Sequence, residues 1–519
     1  MDIYAKQALE EYNGSKMVRQ GGVNGKGFWN INSTQFTFVP TFQFPTIPAA
    51  KEYIYSATDC NGTIHTFTAK KTTAPLTPIW KDIPTGMVEL KVEALHPNNK
   101  TYLVGARTFF KCAPFPGRDV LPPKALSYKE CAEKAFRYVF EDDMNQHWLT
   151  GKPKPDYYHN VYPSKMISSV VRSMIAYVKL APDRKDTAMK IATNAADYLL
   201  SITYGADTKM EGIPPTYSYK DLDREIVDKN VSAVVDDSRT CKVMMIYPAP
   251  VGNMYLELYD ATGNKKYYDA AIKIADYYKN NVLPNGSWYL LVNPITGEAE
   301  SYNCCAAFSI LEFIHNMYTR TKDPCLHTIE ENYFRYLKEK RLEPYDWEGQ
   351  FEDIALNGNY ADLTHVDADN MIAYIAQNLS DDKEMVKEAE DLMRFVEDQF
   401  VVWDKFAPWG DSTTWDGSES QWTSPACLEQ YFWYVPIDAS AAAIIRAFLN
   451  VYRITKDKLL LEKAFALGDS ITRMQNPETG VFPTHWVKTD CRENLENFWI
   501  NCHIASAFTM MQLAELEEQ

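Results

Sequence analysis

No run of roughly 18 apolar residues occurs anywhere in the 519-residue chain, so nothing in it reads as a membrane-spanning helix. A basic, then apolar, then small-residue leader is also missing: the opening "MDIYAKQALEEY" is polar and amphipathic. The expected compartment is therefore the periplasm or the exterior if a leader has been removed, and the cytoplasm otherwise. Positive charge is scarce, with 53 Lys and Arg against 69 Asp and Glu and a net charge of −16. That balance excludes the basic footprint nucleic acid needs and disfavours an anionic membrane surface. An acidic ligand would need a local cationic pocket. The ten cysteines are scattered and define no disulfide framework. Cys304-Cys305, Cys427 and Cys502 with His503 match no compact ligand spacing, so no metal is expected and buried thiols filling small spaces are. Walker and dinucleotide-binding glycine motifs are absent, as is a Gly-x-Ser-x-Gly elbow, so no cofactor is expected.

What the chain has in excess is aromatic surface: 13% of residues, including 33 Tyr and 12 Trp, within an ordinary 46% hydrophobic and 24% charged composition. Helix packing absorbs part of this. The remainder suits a surface that stacks flat apolar faces, such as sugar rings.

Two textures divide the chain. After an N-terminal segment (1–27), residues 28–112 read as strands. "TQFTFVPTFQF" alternates, "EYIYSATDCNGTIHTFTA" is a hairpin about Asn61-Gly62, and a second hairpin turns at Pro97-Asn98-Asn99. This spacing predicts a small β-sandwich similar to a fibronectin type III module. A Pro-rich linker (113–125) follows. From 126 to 519 the apolar period becomes helical and gives about twelve helices. "VVRSMIAYVKLAPDRKDTAMKIATNAADYLL", "VGNMYLELYDATGNKKYYDAAIKIADYY" and "AAAIIRAFLNVYRITKDKLLLEKAFALGDSI" read as diverged copies of one helix hairpin. Short turns alternate with long connections near 149–163, 204–246, 282–302, 342–365, 404–436 and 476–496. In an up-down array, alternate connections emerge at opposite ends, so all the long ones share one face. The fold class expected is mostly α: an (α/α)6 toroid, its inner helices those that follow the long loops, preceded by the β-sandwich.

The long loops carry the candidate chemistry. "PYDWEGQFEDIALNGNYADLTH" offers Glu348, Glu352 and Asp353 beside Trp347, and "WGDSTTWDGSESQW" offers Asp411 and Asp416 among Trp409, Trp415 and Trp422. Paired carboxylates among aromatics are what glycoside cleavage requires: one protonates the leaving oxygen, the other activates water or attacks the anomeric carbon. The bland alternative is that these acids are solvated or cap helices. Tyr162 and Lys165 open one inner helix, and Trp288, Tyr434 and Trp486 add rings to stack on a sugar. His485 and Arg492 could grip a carboxylate or hydroxyls, and Asp438 reads equally as a cap or a ligand.

The recurring pattern of helix, Thr-Gly or Lys-Asp turn, amphipathic helix and Gly-aromatic segment ("LYDATGNKKYYDAAIKIADYY" with "NGSWY"; "VYRITKDKLLLEKAFALGDSI" with "ETGVFPTHW") resembles the six-hairpin glycosidase superfamily, including unsaturated glucuronyl hydrolases. With the β-module ahead of it, the chain also resembles glycoside hydrolase family 154, the exo-acting β-glucuronidases. The resemblance covers most of 126–519 and implies a carbohydrate pocket at the long-loop face, with a uronic acid as substrate. It transfers no catalytic residue. The expected function is an exo-acting glycoside hydrolase acting on an oligosaccharide or glycoside, with no nucleic-acid or membrane partner. Two alternatives stand beside it. One is a lyase or epimerase on the same toroid with Tyr162, Tyr434 or His485 as base; the other is a non-catalytic carbohydrate-binding protein.

Overall fold

The computed structural model describes residues 2–19, 28–155, 162–217, 242–300, 302–351, 363–408, 424–430, 434–494 and 499–518. Within them, helix α1 (Ile3–Asn13) precedes strands β1 (Gln35–Phe36), β2 (Glu52–Thr58) and β3 (Ile64–Ala69), short helix α2 (Thr77–Trp80), and strands β4 (Gly86–Leu95) and β5 (Thr101–Lys111). Both predicted hairpins are present. Strands β2 and β3 pair antiparallel across a turn in which Gly62 takes φ 81°, and β4 and β5 across one in which Asn99 takes φ 59°.

The strands do not make a sandwich. They form one five-stranded sheet of order β1-β5-β4-β2-β3, with β1 parallel to β5. Burial alternates along β2 and β4, so Tyr53, Tyr55, Val88, Leu90 and Val92 face inward while Glu89 and Lys91 face water. The inner face is covered by an irregular segment, 36–44, and by α2, not by a second sheet. Phe36, Phe42 and Phe109 form a three-ring cluster with centroids 5.4–5.6 Å apart, and Trp80 stacks on Phe109. The physical reason lies in "FVPTFQFPTIPAA". Pro40, Pro45 and Pro48 remove ladder donors, so beyond β1 the segment makes isolated backbone bonds, with Leu76 N donating to Pro40 O and Phe44 N to Thr72 O, and buries its rings without forming a further strand.

Among the described residues, the twelve long helices that follow form six hairpins. The inner members are α4 (Pro163–Leu180), α6 (Pro248–Thr262), α8 (Phe308–Thr321), α10 (Val366–Asn378), α12 (Asp438–Thr455) and α14 (Ile500–Glu517). The outer members are α3 (Tyr128–Glu141), α5 (Lys185–Ser201), α7 (Lys265–Asn280), α9 (Pro324–Leu337), α11 (Lys383–Phe400) and α13 (Lys458–Met474). Each inner helix packs on the outer helix that follows it, and α14 packs on α3, joining the two ends of the helical region. Each inner helix also packs on the next, and α14 packs on α4, which closes the ring. The architecture is an (α/α)6 toroid.

Local chemistry explains the short turns. Gly263, Lys322 and Lys456 end α6, α8 and α12 in the left-handed region, with φ 68°, 59° and 63°. The next residue in each case, Asn264, Asp323 or Asp457, accepts a backbone N–H with its side chain and starts the outer helix. The Thr-Gly-Asn and Thr-Lys-Asp repeats are thus a stop followed by a start.

The sheet and toroid share one continuous apolar core. The backbone N–H groups of Thr37 and Phe38 donate to the Asp398 carboxyl on α11 at 2.8 and 2.6 Å, and Trp29 meets Phe395 edge-on at 5.2 Å. Gln35 and Gln399 each donate a side-chain amide to the other's backbone carbonyl, at 2.8 and 3.1 Å.

Candidate functional site

Because the six long connections all precede inner helices, they gather at one rim of the ring. Neighbouring connections are bonded to each other in turn. Ser164 Oγ donates to Pro215 O at 2.7 Å, joining the first to the second. Strands β6 (Val243–Met244) and β7 (Leu291–Val292) pair the second with the third. The Gln350 side chain accepts from Ala306 N at 2.8 Å and donates to Cys304 O at 2.9 Å, joining third to fourth. Bridges Thr364–Gln430 and Ile437–His485 continue the chain of contacts through the fifth and sixth. Tyr162 against Trp499, 6.0 Å between centroids, returns it to the start. The result is a collar of irregular backbone over the N-terminal ends of the inner helices.

Arg341 is the main fastener of this collar. Fully buried, it donates to the carbonyls of Ala306, Asp346 and Glu348 and pairs with Asp367 at 2.9 Å. Burial raises the Asp367 carboxyl pKa and the guanidinium opposes that rise.

Below the collar, the inner helices carry charges that stand alone in otherwise apolar helical sequence: Arg172 in "VVRSM", Glu257 in "LELY", Glu312 in "LEFI" and Arg446 in "IIRAF". A cavity of about 300 Å3 is lined by Arg172, Pro250, Asn253, Glu257, Glu312 and Asn316, among others. Arg172 Nε lies 3.1 and 2.9 Å from the two Glu257 carboxylate oxygens, and Asn316 donates to Asn253 at 3.0 Å. Burial raises the Glu312 carboxyl pKa, opposed by Arg172 and reinforced by Glu257. No hydrogen bond or ion pair joins Glu312 to another described residue. The cavity thus offers two carboxylates in different electrostatic settings, two amides, the Ser309 hydroxyl and two guanidiniums, Arg172 and Arg320, the latter paired with Asp260: groups that accept from and donate to hydroxyls.

The residues singled out in the sequence are distributed as follows. Glu348 lies in the collar, 5% exposed, its backbone bridged to Leu363 and its N–H donated to Asp346. Glu352, Asp353, Asp411, Asp416, Trp409, Trp415 and Trp422 lie outside the described residues. Three indoles expected to stack on a sugar are buried in packing. Trp288 donates to Tyr278 O and sits edge-on between Tyr278 and Tyr333. Trp347 lies on Tyr345 and Phe395, and Trp486 donates to Pro483 O. The collar is thick enough to have an interior, and indoles are the side chains that fill it.

Tyr162 is buried between Tyr217 and Trp499, and Lys165 is half-buried in the first turn of α4. The Tyr434 hydroxyl donates to Gln35 and accepts from Ala407 N, tying the fifth loop to the sheet. His485 is buried, and desolvation lowers its pKa to about 4, so at neutral pH it brings no positive charge to a carboxylate. Arg492 is half-exposed and already sits near Glu478 and Asp490, at 3.5 and 3.9 Å. Asp438 is buried at the start of α12 and accepts from Ala439 N and Ser506 Oγ. The set Arg172, Glu257, Glu312 and Arg446 on the inner helices escapes a reading centred on loops. Its signal is the lone charge inside an inner-helix apolar run, where an unpaired charge is costly unless it faces a polar cavity.

No family model matches the chain, and no curated protein matches it. Solved structures similar to it include a family 76 glycoside hydrolase from a bovine Bacteroides thetaiotaomicron strain, at 10% identity over 90% of this chain and 93% of that one, TM-score 0.46. The cellobiose 2-epimerase from Spirochaeta thermophila DSM 6192 is 12% identical over 75% and 98%, TM-score 0.46. An unsaturated glucuronyl hydrolase specific for heparin is 12% identical over 75% and 98%, TM-score 0.44.

Proposed function

We propose that the protein is a carbohydrate-processing enzyme, and specifically an exo-acting glycoside hydrolase that removes a terminal sugar, a uronic acid in the first instance. The observation that carries the reading is the cavity inside the ring: about 300 Å3, walled by Glu257, Glu312, Arg172, Asn253 and Asn316, among others. A volume of that order holds one sugar residue, not a chain, which favours terminal release. In this reading the lumenal carboxylates and amides hold the sugar hydroxyls. We place the glycosidic bond at the collar and assign its cleavage to a carboxylate pair drawn from Glu348, Glu352, Asp353, Asp411 and Asp416. One member donates its proton to the leaving oxygen while the other, ionised, activates water or attacks the anomeric carbon.

The lyase or epimerase alternative needs a side-chain base. Of its candidates, the Tyr434 hydroxyl is held between Gln35 and Ala407 with its pKa pushed up by burial, and His485 is a weak base at about 4.

A panel of aryl glycosides of both anomers, read for released phenol and for new ultraviolet absorbance, tests the reading. Phenol release without new absorbance is the expected result. Substituting each of the five carboxylates by its amide is expected to lower kcat roughly a hundredfold or more for at least two of them. Tight sugar binding with no turnover would instead identify a binding protein.

A further inference from the structure

Resting on the hydrolase reading of the lumen, we infer that Arg446 is the residue that recognises a carboxylate on the bound sugar and so selects a sugar acid over its neutral counterpart.

Arg446 lies midway along α12, roughly 12 Å below the start of that inner helix at about 1.5 Å per residue. Its Nη1 donates to two neutral acceptors on α14, Thr509 Oγ1 at 2.8 Å and Ala505 O at 3.4 Å. No ion pair joins it to a carboxylate of the described residues. It stands beside the cavity without itself lining it: it is only partly buried, and Arg172, which lines the cavity, lies over the Phe508 ring of the same helix at 5.7 Å. Both guanidiniums thus adjoin α14, and Arg446 is pushed toward the neutral form chiefly by burial, with Asp369 opposing that and Arg172 adding to it.

Charge matching in the lumen is lopsided. Arg172 is already bound to Glu257 through Nε and Nη2, with Nη2 at 2.9 Å. Among the described residues, Arg446 is bonded only to neutral acceptors. On α8, Glu312 has a carboxylate and no cation of the described residues bonded to it. A ligand that carries a carboxylate at one end and hydroxyls at the other satisfies both: the carboxylate takes the free donors of Arg446, and a hydroxyl donates to Glu312. A guanidinium suits this role because its planar donor fork matches a carboxylate and keeps its charge when buried. A neutral sugar would leave Arg446 without a bonded anion, its charge offset only by the field of Asp369, which is how a polar site rejects an analogue lacking its partner.

The experiment compares 4-nitrophenyl glucuronides with 4-nitrophenyl glucosides, which differ at one carbon, for wild type, Arg446→Gln and Arg446→Lys. Wild type is expected to prefer the glucuronide. Arg446→Gln is expected to lose tenfold to a hundredfold in kcat/KM on the glucuronide and less than threefold on the glucoside, with Arg446→Lys intermediate. Equal losses on both substrates, or a wild type that prefers the glucoside, would overturn the inference while leaving the hydrolase reading intact. If no glycoside of the panel is cleaved, the hydrolase reading fails on its own. Thermal melting then decides Arg446: glucuronate raising the Tm of wild type but not of Arg446→Gln supports it, and no shift, or an equal shift with glucose, overturns it. Arg446→Lys, which keeps the charge, controls for misfolding.

Discussion

Tyr162, at the start of the first inner helix, packs against Trp499, at the start of the last, with ring centroids 6.0 Å apart. Residues 337 positions apart in sequence thus close the collar above a ring whose helices close by the same pairing, α14 on α4. Trp499 also donates its backbone N–H to Thr484 Oγ1 at 2.7 Å. Trp499→Ala is expected to lower stability by about 2–3 kcal/mol, near the low end for losing a large aromatic because the ring is only partly buried. Urea denaturation measures the loss, and Trp499→Phe should recover most of it.

Arg341 and Asp367 form the buried ion pair of the collar, 2.9 Å apart. Removing one partner strands the other in a dry setting, which typically costs 3–5 kcal/mol. Arg341→Met should therefore destabilise strongly, and Arg341→Lys nearly as much, since one ammonium cannot serve three carbonyls and a carboxylate in their present geometry. Limited proteolysis should show first cleavage moving into 343–365 in either variant. If cleavage sites and melting temperature stay where they are in wild type, Arg341 does not fasten the collar.

Gly252 sits on α6 where a Cβ would overlap the ring of Phe313 on α8. Helix propensity favours alanine by about 1 kcal/mol. Overpacking costs about 1–3 kcal/mol and opposes it. The expected net effect of Gly252→Ala is a loss of stability, reversed in part by Phe313→Leu. A double-mutant cycle in urea measures the coupling, and additive effects would contradict a direct clash.

His503 is buried, accepts from Phe482 N at Nδ1 and sits 3.0 Å from Ala135 O at Nε2, an arrangement that the neutral ring satisfies. Burial lowers its pKa from 6.5 to about 4. A depressed histidine pKa means the unfolded chain binds the proton more readily. Its contribution to stability is therefore complete above about pH 6.5 and is lost as pH falls toward 4. The difference amounts to about 3 kcal/mol at roughly 1.4 kcal/mol per pH unit. Asp398, pushed up to about 7, acts with the opposite sign over the same range, so total stability alone is a poor readout. Comparing wild type with His503→Gln from pH 7.5 to 4 isolates the histidine: their difference in unfolding free energy should shrink by about that amount, and a constant difference would contradict the assignment.

Glu312 and Glu348 are expected to differ in kinetics. Glu312→Gln, in the cavity wall, should raise KM more than it lowers kcat, because it removes a hydroxyl acceptor present in ground and transition states alike. Glu348→Gln should lower kcat with little change in KM. The reverse pattern would move proton transfer from the collar into the lumen.

Much of the toroid was legible from the chain. Inner helices such as "SAAAIIRAFLNVY" are apolar on nearly every side because they touch neighbours on nearly every side, and outer helices such as α11 keep one polar face. The alternation of short turns and long connections set which ends share a rim, since an up-down array leaves no other placement. The short turns announced themselves through a left-handed residue followed by Asn or Asp. The sandwich was not found because alternation in 34–44 reports which side chains are buried, not which backbone they pair with: only Gln35 and Phe36 pair as a strand, and Pro40, Pro45 and Pro48 oppose its extension.

The loops misled for a related reason. Trp288, Trp347 and Trp486 stand in segments without helical or strand period, and such segments ordinarily cross a surface. Here six of them interlock and acquire an interior of their own, so the rings pack instead of lining the cavity. Local composition and period thus determined the helices, their caps and the rim to which the loops belong, because those depend on neighbours along the chain. Only the tertiary structure decided that Arg172, Glu257 and Glu312 line one cavity and that Arg446, beside it, forms no ion pair with a carboxylate of the described residues. Those relations join different helices around a ring, and nothing in the spacing along any one helix specifies what stands across from it.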